Sequence, residues 1–535
     1  MSDEPADRQA TSRLAEVRAA RIQKLQRLRE LGIDPYPASF EGRAAIGDAR
    51  AQGEGAEVRV AGRLMLLRRQ GGSSFANLRD QSGQLQLQFR RDVLGAETYE
   101  LLKLLDLGDF IGAQGPLFTT STGELTVAVQ QLTVLSKSLR PLPEKWHGLT
   151  DPETRVRKRH LSYISDPAEL DTLVTRSRFV HNLRAFLESE RFVEVATPVL
   201  EAVPGGADAE PFLTHHNALD TDFYLRISLE LHHKRLIVGG LERIYEIGRV
   251  FRNEGLGREY LQEFDLLELY WAYADLAALK RFVERLYTTA IQETFGTLRV
   301  TYGADTLDFT PPWPESDYLQ LFRDHAGIDL HDHPTAESLV PVAKRLEIAE
   351  AEAGLGRGRL IDLIYKRVIR SKLVQPQFLV GHPVDVSPLA KRDTSDPSRV
   401  QRLQVLIAGS EVGNGFAELN DPLDQRARFE EQQRLREAGD REAQMLDEDY
   451  LEALEYGMPP TAGFGVGIER WLMYLTNAPT IRDVVAFPLT RPPEKISLEG
   501  KVEPRGELET KIISGGKSER GGMTAPGKPE DEPSP

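Results

Sequence analysis

The sequence contains no cysteine among its 535 residues. Disulfide bonds and thiolate-bound zinc are therefore excluded, so any metal ion must be held by oxygen or imidazole ligands. Long hydrophobic runs are also missing, because no stretch reaches the roughly 18 apolar residues that a membrane-spanning helix needs. We therefore expect a protein of the reducing cytoplasm that has no membrane partner.

Positive charge is in deficit: 67 Lys and Arg residues face 82 Asp and Glu residues, and the formal net charge is -15. A protein that coats DNA or RNA without selectivity needs an excess of basic side chains, so that class is excluded and DNA is not an expected partner. RNA binding would have to be local. Two basic stretches could serve it, although ordinary solvated helix faces explain them equally well: Arg13, Arg18, Arg21, Lys24, Arg27 and Arg29, and then Arg155, Arg157, Lys158 and Arg159.

Glycine-rich phosphate loops are the third absence. Neither a P-loop nor a G-x-G-x-x-G motif opens a predicted helix. If the protein binds a nucleotide, it must therefore do so on a different architecture.

The first 150 residues divide into three segments. Residues 1–56 form a helical extension, in which apolar residues at helical spacing predict a helix over residues 12–31 that stops at Gly32. Residues 57–136 contain about five short alternating segments separated by turns, which is typical of a small barrel, and the OB-fold is the nucleic-acid-binding barrel of that size. Residues 137–150 are rich in proline and predict a linker.

The remaining chain divides into a large domain and a tail. Residues 151–493 mix helices and strands without regular alternation, which indicates an α+β domain. Residues 494–535 contain no aromatic residue and many glycine, proline and charged residues, so we predict a disordered tail.

The segment over residues 243–273 predicts two strands joined by a polar loop. Period two on the second strand places Phe264, Glu268 and Tyr270 on one face. The opposite, core face then carries the apolar residues Leu267, Leu269, Trp271 and Tyr273. Glu268 is either a functional carboxylate between aromatic side chains or an ordinary edge residue in a salt bridge.

Two further strand-like segments repeat this pattern. Over residues 411–421, Asn414, Phe416 and Glu418 share one face, while Gly413 and Gly415 lie on the other. Two faces that carry carboxylates suit a small cationic substrate, because a hydrogen bond to a charged group contributes about 1.5–3 kcal/mol.

The third segment, over residues 463–476, has glycine at every second position before a helix that holds Arg470. One strand face there lacks side chains and could admit a flat group beside an arginine. A glycine track for helix packing is the alternative, and it does not explain Arg470.

These segments resemble the class II lysyl-tRNA synthetases over residues 12–493. FVEVATPVL with Pro198 is similar to motif 1 of that family, FRNEG within residues 249–268 to motif 2, and GFGVGIERW to motif 3. The stretches HHNALDTDFYLRISLEL and GNGFAELNDPLDQ resemble the versions specific for lysine rather than those for aspartate or asparagine.

The resemblance implies an N-terminal OB-fold and a catalytic domain built on a six-stranded antiparallel sheet flanked by helices. It implies activation of L-lysine by ATP and transfer of the lysyl group to tRNA(Lys). Arg252, Glu254 and Arg470 would be catalytic, and the remaining implied roles are as follows. ATP would contact Arg252, Glu254, Phe264, Glu411 and Arg470, and lysine would contact Glu230, Glu268, Tyr270, Asn414, Phe416 and Glu418.

The resemblance also implies a cofactor and partners. Glu411 would hold Mg²⁺, and Arg69, Phe75 and Gln86 would bind the anticodon. A homodimer would form with Pro198 near its interface.

The sequence departs from the family pattern where the nucleotide is expected. Tyr260-Leu261-Gln262 stands where relatives commonly have His-Asn-Pro, and Gln404 replaces a second magnesium-binding acid. Glu210 replaces a basic residue, and His232-His233 replaces an aromatic-aliphatic pair. Two alternatives to lysyl-tRNA synthesis therefore remain: a relative that adenylates lysine or a related amine for another acceptor, and a non-catalytic RNA-binding regulator.

Overall fold

The computed structural model describes residues 4–143, 151–348, 355–387, 389–437 and 443–491. Residues 144–150, the second half of the predicted linker, and the predicted tail, residues 494–535, lie outside the described residues. The barrel and the large domain belong to one compact unit, Met1–Leu489.

The N-terminal part begins with a helix and continues into a closed barrel. Helix α1 (Glu4–Glu30) starts earlier than predicted and ends two residues before Gly32, whose φ of 75° suits glycine just past a helix C-terminus. Its elements are α1 (Glu4–Glu30), α2 (Ile46–Gln52), β1 (Glu57–Gln70), β2 (Ser73–Asp80), β3 (Gly83–Arg90), α3 (Arg91–Leu94), α4 (Ala96–Glu100), β4 (Phe110–Thr119), β5 (Leu125–Val129) and β6 (Gln131–Ser136).

The barrel has the strand order β1-β2-β3-β5-β4-β6, and a further pairing of β1 with β4 closes it. Only the pairing of β3 with β5 is parallel in this sheet. The alternating burial of β2 and β3 sends one set of side chains into a core and the other to the surface. This closed order confirms the predicted OB-fold.

The second part begins with three helices and continues into strands, most of which belong to a large mixed sheet. Its strands are β7 (Val193–Glu194), β8 (Leu200–Glu201), β9 (Leu213–His216), β10 (Thr221–Leu225), β11 (Arg243–Phe251), β12 (Glu263–Ala272), β13 (Arg299–Tyr302), β14 (Asp305–Asp308), β15 (Glu315–Asp317), β16 (Gln377–Val380), β17 (Arg402–Ile407), β18 (Ser410–Ala417) and β19 (Thr461–Gly467). Its α-helices are α5 (Pro152–Arg157), α6 (Arg159–Ser165), α7 (Pro167–Ser189), α8 (Glu230–Val238), α9 (Leu276–Phe295), α10 (Tyr318–Ala326), α11 (Ala336–Arg345), α12 (Arg357–Ile364), α13 (Pro422–Glu437), α14 (Glu448–Glu455) and α15 (Ile468–Leu475).

The central sheet has the order β15-β16-β17-β18-β19-β12-β11-β7. Its six inner strands, β16 to β11 in that order, pair antiparallel and confirm the predicted six-stranded sheet. The sheet is wider than predicted, because the short strands β7 and β15 pair parallel at its two edges.

Helices α7, α9 and α15 cover one face of this sheet. Helix α9 starts at Asp275, whose carboxylate accepts the Ala278 N–H at 2.7 Å, and ends at Gly296. Its buried residues recur at helical spacing and join the main hydrophobic core. Trp471 of α15 anchors this core by stacking on Tyr287, with ring centroids 3.8 Å apart. The opposite face of the sheet remains available for a pocket.

Strand β12 follows the predicted alternation up to its end. Leu267 and Leu269 are buried in the main core, as predicted. Tyr273 does not belong to that face: the strand ends at Ala272, and Tyr273 is 70% exposed with φ of 63°. The alternation rule stopped applying where the backbone left the extended conformation.

Candidate active site

A cavity of about 330 Å³ opens on the face of the sheet that is not covered by α7, α9 and α15. It combines residues from β12, β18, β19, the start of α8 and the segment after β11. Every residue for which the sequence predicts a lysine, ATP or catalytic role lines it: Glu230, Arg252, Glu254, Phe264, Glu268, Tyr270, Glu411, Asn414, Phe416, Glu418 and Arg470.

The glycine residues of β19 form the floor of this cavity. A Cβ atom at Gly463 would lie 2.1 Å from Glu418 Oε1, and one at Gly465 would lie 3.3 Å from Glu268 Cγ. The bare strand face therefore lets two carboxylates approach the backbone. The glycines of β18 instead allow close packing in the hydrophobic core. A Cβ atom at Gly413 would lie only 2.5 Å from the ring of Phe464, which belongs to that core.

One end of the cavity concentrates buried carboxylates. Glu230, Glu268 and Glu418 are all at most 6% exposed, and they come from α8, from β12 and from the position directly after β18. Burial, reinforced by the charge of Glu230, raises the pKa of Glu268 to about 7. Burial also raises the pKa of Glu418 to about 8, although the ammonium group of Lys234 opposes that shift. These shifts record an excess of negative charge in a dry site, which a cationic ligand would relieve.

Aromatic and hydroxyl groups complete this end. Ser228 donates its hydroxyl to Glu268 Oε1 at 2.8 Å, and Tyr270 donates to Glu268 Oε2 at 3.4 Å. Asn414 Oδ1 accepts from the Arg402 guanidinium at 2.7 Å. These contacts fix the carboxylate and amide in place, so the walls of the site are preorganised.

Lys234 is a residue of this end that the sequence did not identify as functional. Its side chain is fully buried, and its Nζ lies 2.6 Å from both Glu230 Oε1 and Glu418 Oε2. Although burial favours the neutral amine, the two carboxylates raise the pKa of Lys234 well above its ordinary value. The signal was present in the sequence, because Glu230 and Lys234 are four residues apart on one helix and so share a face.

The other end of the cavity carries the arginines. Arg252 follows β11, and its Nε donates to the Ile227 carbonyl at 3.1 Å, while its guanidinium lies 5.3 Å from the Phe264 ring centroid. Burial lowers the pKa of Arg252, but a guanidinium group keeps its charge in proteins. Arg470 projects from α15 and donates to the Glu411 carbonyl at 3.1 Å. Two fixed cations therefore face a region of the pocket that suits an anionic or planar ligand.

Residues that differ from the family pattern lie at this same end. The Tyr260 ring covers Arg470, with its centroid 5.4 Å from the guanidinium carbon, and is 42% exposed. Leu261 is buried at the edge of the main core. The backbone carbonyl of Glu210 accepts from the Asn253 N–H at 2.7 Å.

Glu411 is the predicted magnesium ligand. The Gln404 amide donates to Glu411 Oε2 at 2.5 Å, so the neutral residue is held directly against the carboxylate. Among the described residues, no group of three or more Asp, Glu or His side chains could hold a metal ion. The residues at this place therefore suit an ion that would be held by one carboxylate together with the oxygens of a bound substrate, an arrangement that is common for Mg²⁺.

The histidine pair that departs from the pattern lies behind the site. His233 is fully buried, with Nε2 3.2 Å from Glu246 Oε2, and burial lowers its pKa. His232 lies nearer the surface, with Nδ1 3.2 Å from Glu201 Oε1. Neither histidine lines the cavity.

The barrel presents a second candidate surface. Phe75 and Gln86 project from one face of the sheet formed by β2 and β3, and Gln86 Oε1 accepts from the Thr126 hydroxyl at 2.8 Å. Arg69 does not join them: it pairs with Ser74 on the opposite face and donates to the Leu102 and Leu105 carbonyls. This corrects the expectation that Arg69 lies beside Phe75. Arg68, paired with Phe75, takes that place.

Pro198 lies in an exposed segment beside the edge of the central sheet. Its apolar neighbours Val193, Val199 and Leu200 are 53%, 39% and 46% exposed.

In the described part of the chain, no helix has the length and apolar character needed to cross a membrane.

The comparisons with known proteins agree with this geometry. Residues 151–491 match the tRNA synthetases class II (D, K and N), and residues 58–135 match the OB-fold nucleic acid binding domain. The barrel and the pocket-bearing sheet are therefore the two parts of a class II aminoacyl-tRNA synthetase.

Named relatives narrow this class. The chain is 49% identical to the lysine–tRNA ligase of Moorella thermoacetica over 89% of its own length and 98% of that protein. It is 46% identical to that of Syntrophomonas wolfei, over 90% and 98%, and 45% identical to that of Bacillus subtilis, over 88% and 96%. The chain belongs to the lysine–tRNA ligase family of class II synthetases.

Proposed function

We propose that this protein joins L-lysine to tRNA(Lys) in two steps, of which the first consumes ATP. It would act in the cytoplasm and as a homodimer. The observation that carries the proposal is the convergence of Glu230, Glu268 and Glu418 at one end of a pocket whose other end holds Arg252 and Arg470. Such a pocket is complementary to an amino acid with two ammonium groups placed beside a nucleotide.

Charge counting supports lysine as the amino acid. When ionised, the three carboxylates carry three negative charges, and Lys234 offsets one of them. The two charges that remain match the α- and ε-ammonium groups of lysine. The carboxylate of lysine would then extend toward Arg252 at the other end of the pocket.

In the first step, a carboxylate oxygen of lysine attacks the α-phosphorus of ATP. A bond forms between this oxygen and phosphorus, the bond to the bridging oxygen breaks, and pyrophosphate leaves. Arg252 stabilises charge on the α-phosphate, and Phe264 and Arg470 sandwich the adenine, with Glu254 near its amino group. No side chain acts as a nucleophile, so positioning and electrostatic stabilisation provide the catalysis.

Magnesium fits this scheme through Glu411, beside Arg470. When bound, Mg²⁺ would offset the negative charge of the phosphates and of the departing pyrophosphate. Gln404 supplies a neutral amide at that place, and an amide is a weaker ligand than a carboxylate for this ion.

In the second step, a hydroxyl of the terminal ribose of tRNA attacks the lysyl carbonyl, and AMP leaves. Selection of the tRNA rests on the barrel, where Phe75 would stack on an anticodon base and Gln86 would hydrogen-bond to it. Stacking on such a sheet contributes about 1–3 kcal/mol per base. Pro198 and its exposed apolar neighbours would lie near the interface of the dimer.

The test is charging of tRNA(Lys) with labelled lysine by the wild-type protein and Phe75→Ala. We expect wild-type charging, a rise of about 5- to 100-fold in the tRNA KM of the variant, and unchanged pyrophosphate exchange without tRNA. Adenylate formation without charging would instead indicate another acceptor. The absence of both ATP binding and adenylate formation would indicate a regulator and overturn the proposal.

A further inference from the structure

Lys234 poses a problem that the proposed reaction does not explain. A cation sits within 2.6 Å of two of the three carboxylates that are proposed to bind a cationic substrate. A buried lysine in the path of the substrate would compete with it. Lys234 does not line the cavity, however, whereas Glu230 and Glu418 do. It therefore contacts these carboxylates from behind and leaves the cavity open.

We infer that Lys234 is a positioning residue that sets the charge of the amino-acid pocket. It neutralises one of three buried carboxylates and opposes the protonation of Glu230 and Glu418. When all three carboxylates are ionised, the pocket then keeps the two negative charges that a diammonium amino acid requires. This inference rests on the proposed function, because it assumes that lysine enters this pocket.

The surroundings of Lys234 support an electrostatic role. The Phe416 ring centroid lies 5.6 Å from its Nζ, so the aromatic wall separates this ammonium group from part of the cavity. The other titratable groups that face Lys234 and its two carboxylates are four, from three parts of the chain: Glu268 and Tyr270 of β12, Tyr450 of α14, and Asp208 before β9. Lys234 is the one cation in this set. Without it, adjacent carboxylates would share protons rather than both ionise.

The neutral variant Lys234→Met tests the inference by calorimetric titration with lysine at pH 7.5. Each lysine bound must then displace protons from the carboxylates. We expect the lysine Kd to rise at least tenfold, with about one more proton released per lysine bound than in the wild type. Proton release is obtained by repeating the titration in buffers of different ionisation enthalpy. The ATP Kd should not change.

A charge-compensating variant distinguishes this role from simple packing. Counted with every carboxylate ionised, as lysine binding requires, Glu418→Gln alone leaves one net negative charge and Lys234→Met alone leaves three. The double variant restores two and should bind lysine more tightly than Lys234→Met, with proton release back near the wild-type value. A packing role predicts instead that the double variant is as weak as, or weaker than, Lys234→Met. The double variant also removes the unpaired charge that could prevent Lys234→Met from folding.

Lys137 provides a matched control, because it is also fully buried between two carboxylates, those of Asp106 and Asp109 in the barrel. Lys137→Met should lose thermal stability with the lysine Kd and proton release unchanged. Wild-type affinity and proton release in Lys234→Met, or the absence of rescue in the double variant, would overturn the inference alone. No lysine binding by the wild type would overturn the proposed function instead.

Discussion

The two ends of the pocket differ in how the protein prepares them. At the amino-acid end, three carboxylates are buried and Lys234 is fixed against two of them, so the charge pattern exists before any ligand arrives. At the nucleotide end, Arg470 is held by backbone carbonyls and covered by Tyr260. In the proposed reaction, the first end would select the substrate by fixed charge, while the second would depend on groups that the nucleotide brings, including its metal ion.

This difference accounts for the departure at the exposed Tyr260, whereas nothing in the structure explains those at the buried Leu261, Gln404 and His233. Tyr260, Leu261 and Gln404 depart from the family pattern at the nucleotide end, whereas every carboxylate of the amino-acid end is retained. A buried charge without its partner is costly, so its replacement is disfavoured. A partly exposed loop residue such as Tyr260 is less constrained.

The largest expected effect is at Arg252, in the end of the pocket that carries the arginines. Arg252→Ala removes the cation proposed to stabilise the α-phosphate, and we expect kcat/KM for lysine-dependent pyrophosphate exchange to fall about 10²- to 10³-fold. Folding should be retained by circular dichroism and thermal melting. A loss below tenfold would remove Arg252 from the catalytic group.

A more selective effect is expected from Glu268→Gln, which neutralises one carboxylate of the amino-acid end. The lysine KM should rise about 10- to 100-fold, because a charge-assisted hydrogen bond is lost, while the ATP KM stays constant. Steady-state exchange kinetics at varied lysine and ATP separate the two constants. Equal increases in both would contradict the division of the pocket into two ends.

The pH dependence should also differ between the ends. Glu268 and Glu418 have pKa values raised to about 7 and about 8, so both bind protons as the pH falls through that window. Protonated carboxylates lose their attraction for ammonium groups, so lysine affinity should fall from pH 8 to pH 6, by up to about tenfold per unit for each proton. The ATP KM should stay flat from pH 7 to 8.5, since the arginines keep their charge. A flat lysine profile would contradict the raised pKa values.

The smallest expected effect concerns Gln404→Glu at the nucleotide end. A second carboxylate beside Glu411 should lower the Mg²⁺ concentration for half-maximal exchange by about threefold or more. Titration of Mn²⁺ by electron paramagnetic resonance in the presence of ATP gives an independent readout. The lysine KM serves as the control, and an unchanged metal requirement would show that Gln404 lies outside the ion's coordination.

The family resemblance predicted the antiparallel sheet and the roles of the pocket residues, whereas periodic patterns in the sequence predicted the barrel and the side chains that share a strand face. They worked because a buried sheet enforces strict alternation, as along Phe264, Glu268 and Tyr270. They did not give the short parallel edge strands β7 and β15, which contain too few residues for a pattern. Arg69 was misplaced because one residue of strand register reverses the face of a side chain. Tyr273 was misplaced because the strand had already ended.

The functional position of Lys234 was not predicted from the sequence, for a different reason. Its i,i+4 relation to Glu230 is visible in the sequence, but such pairs usually lie on solvated helix faces. Only the three-dimensional structure adds Glu418 from a distant strand and shows that all three groups are buried.

The most direct test of the whole account is exchange of labelled pyrophosphate into ATP with each of the twenty amino acids in turn. We predict exchange with L-lysine alone, since the pocket holds two uncompensated negative charges for two ammonium groups. Exchange that favours a neutral or acidic amino acid, or no exchange with lysine, would contradict the account.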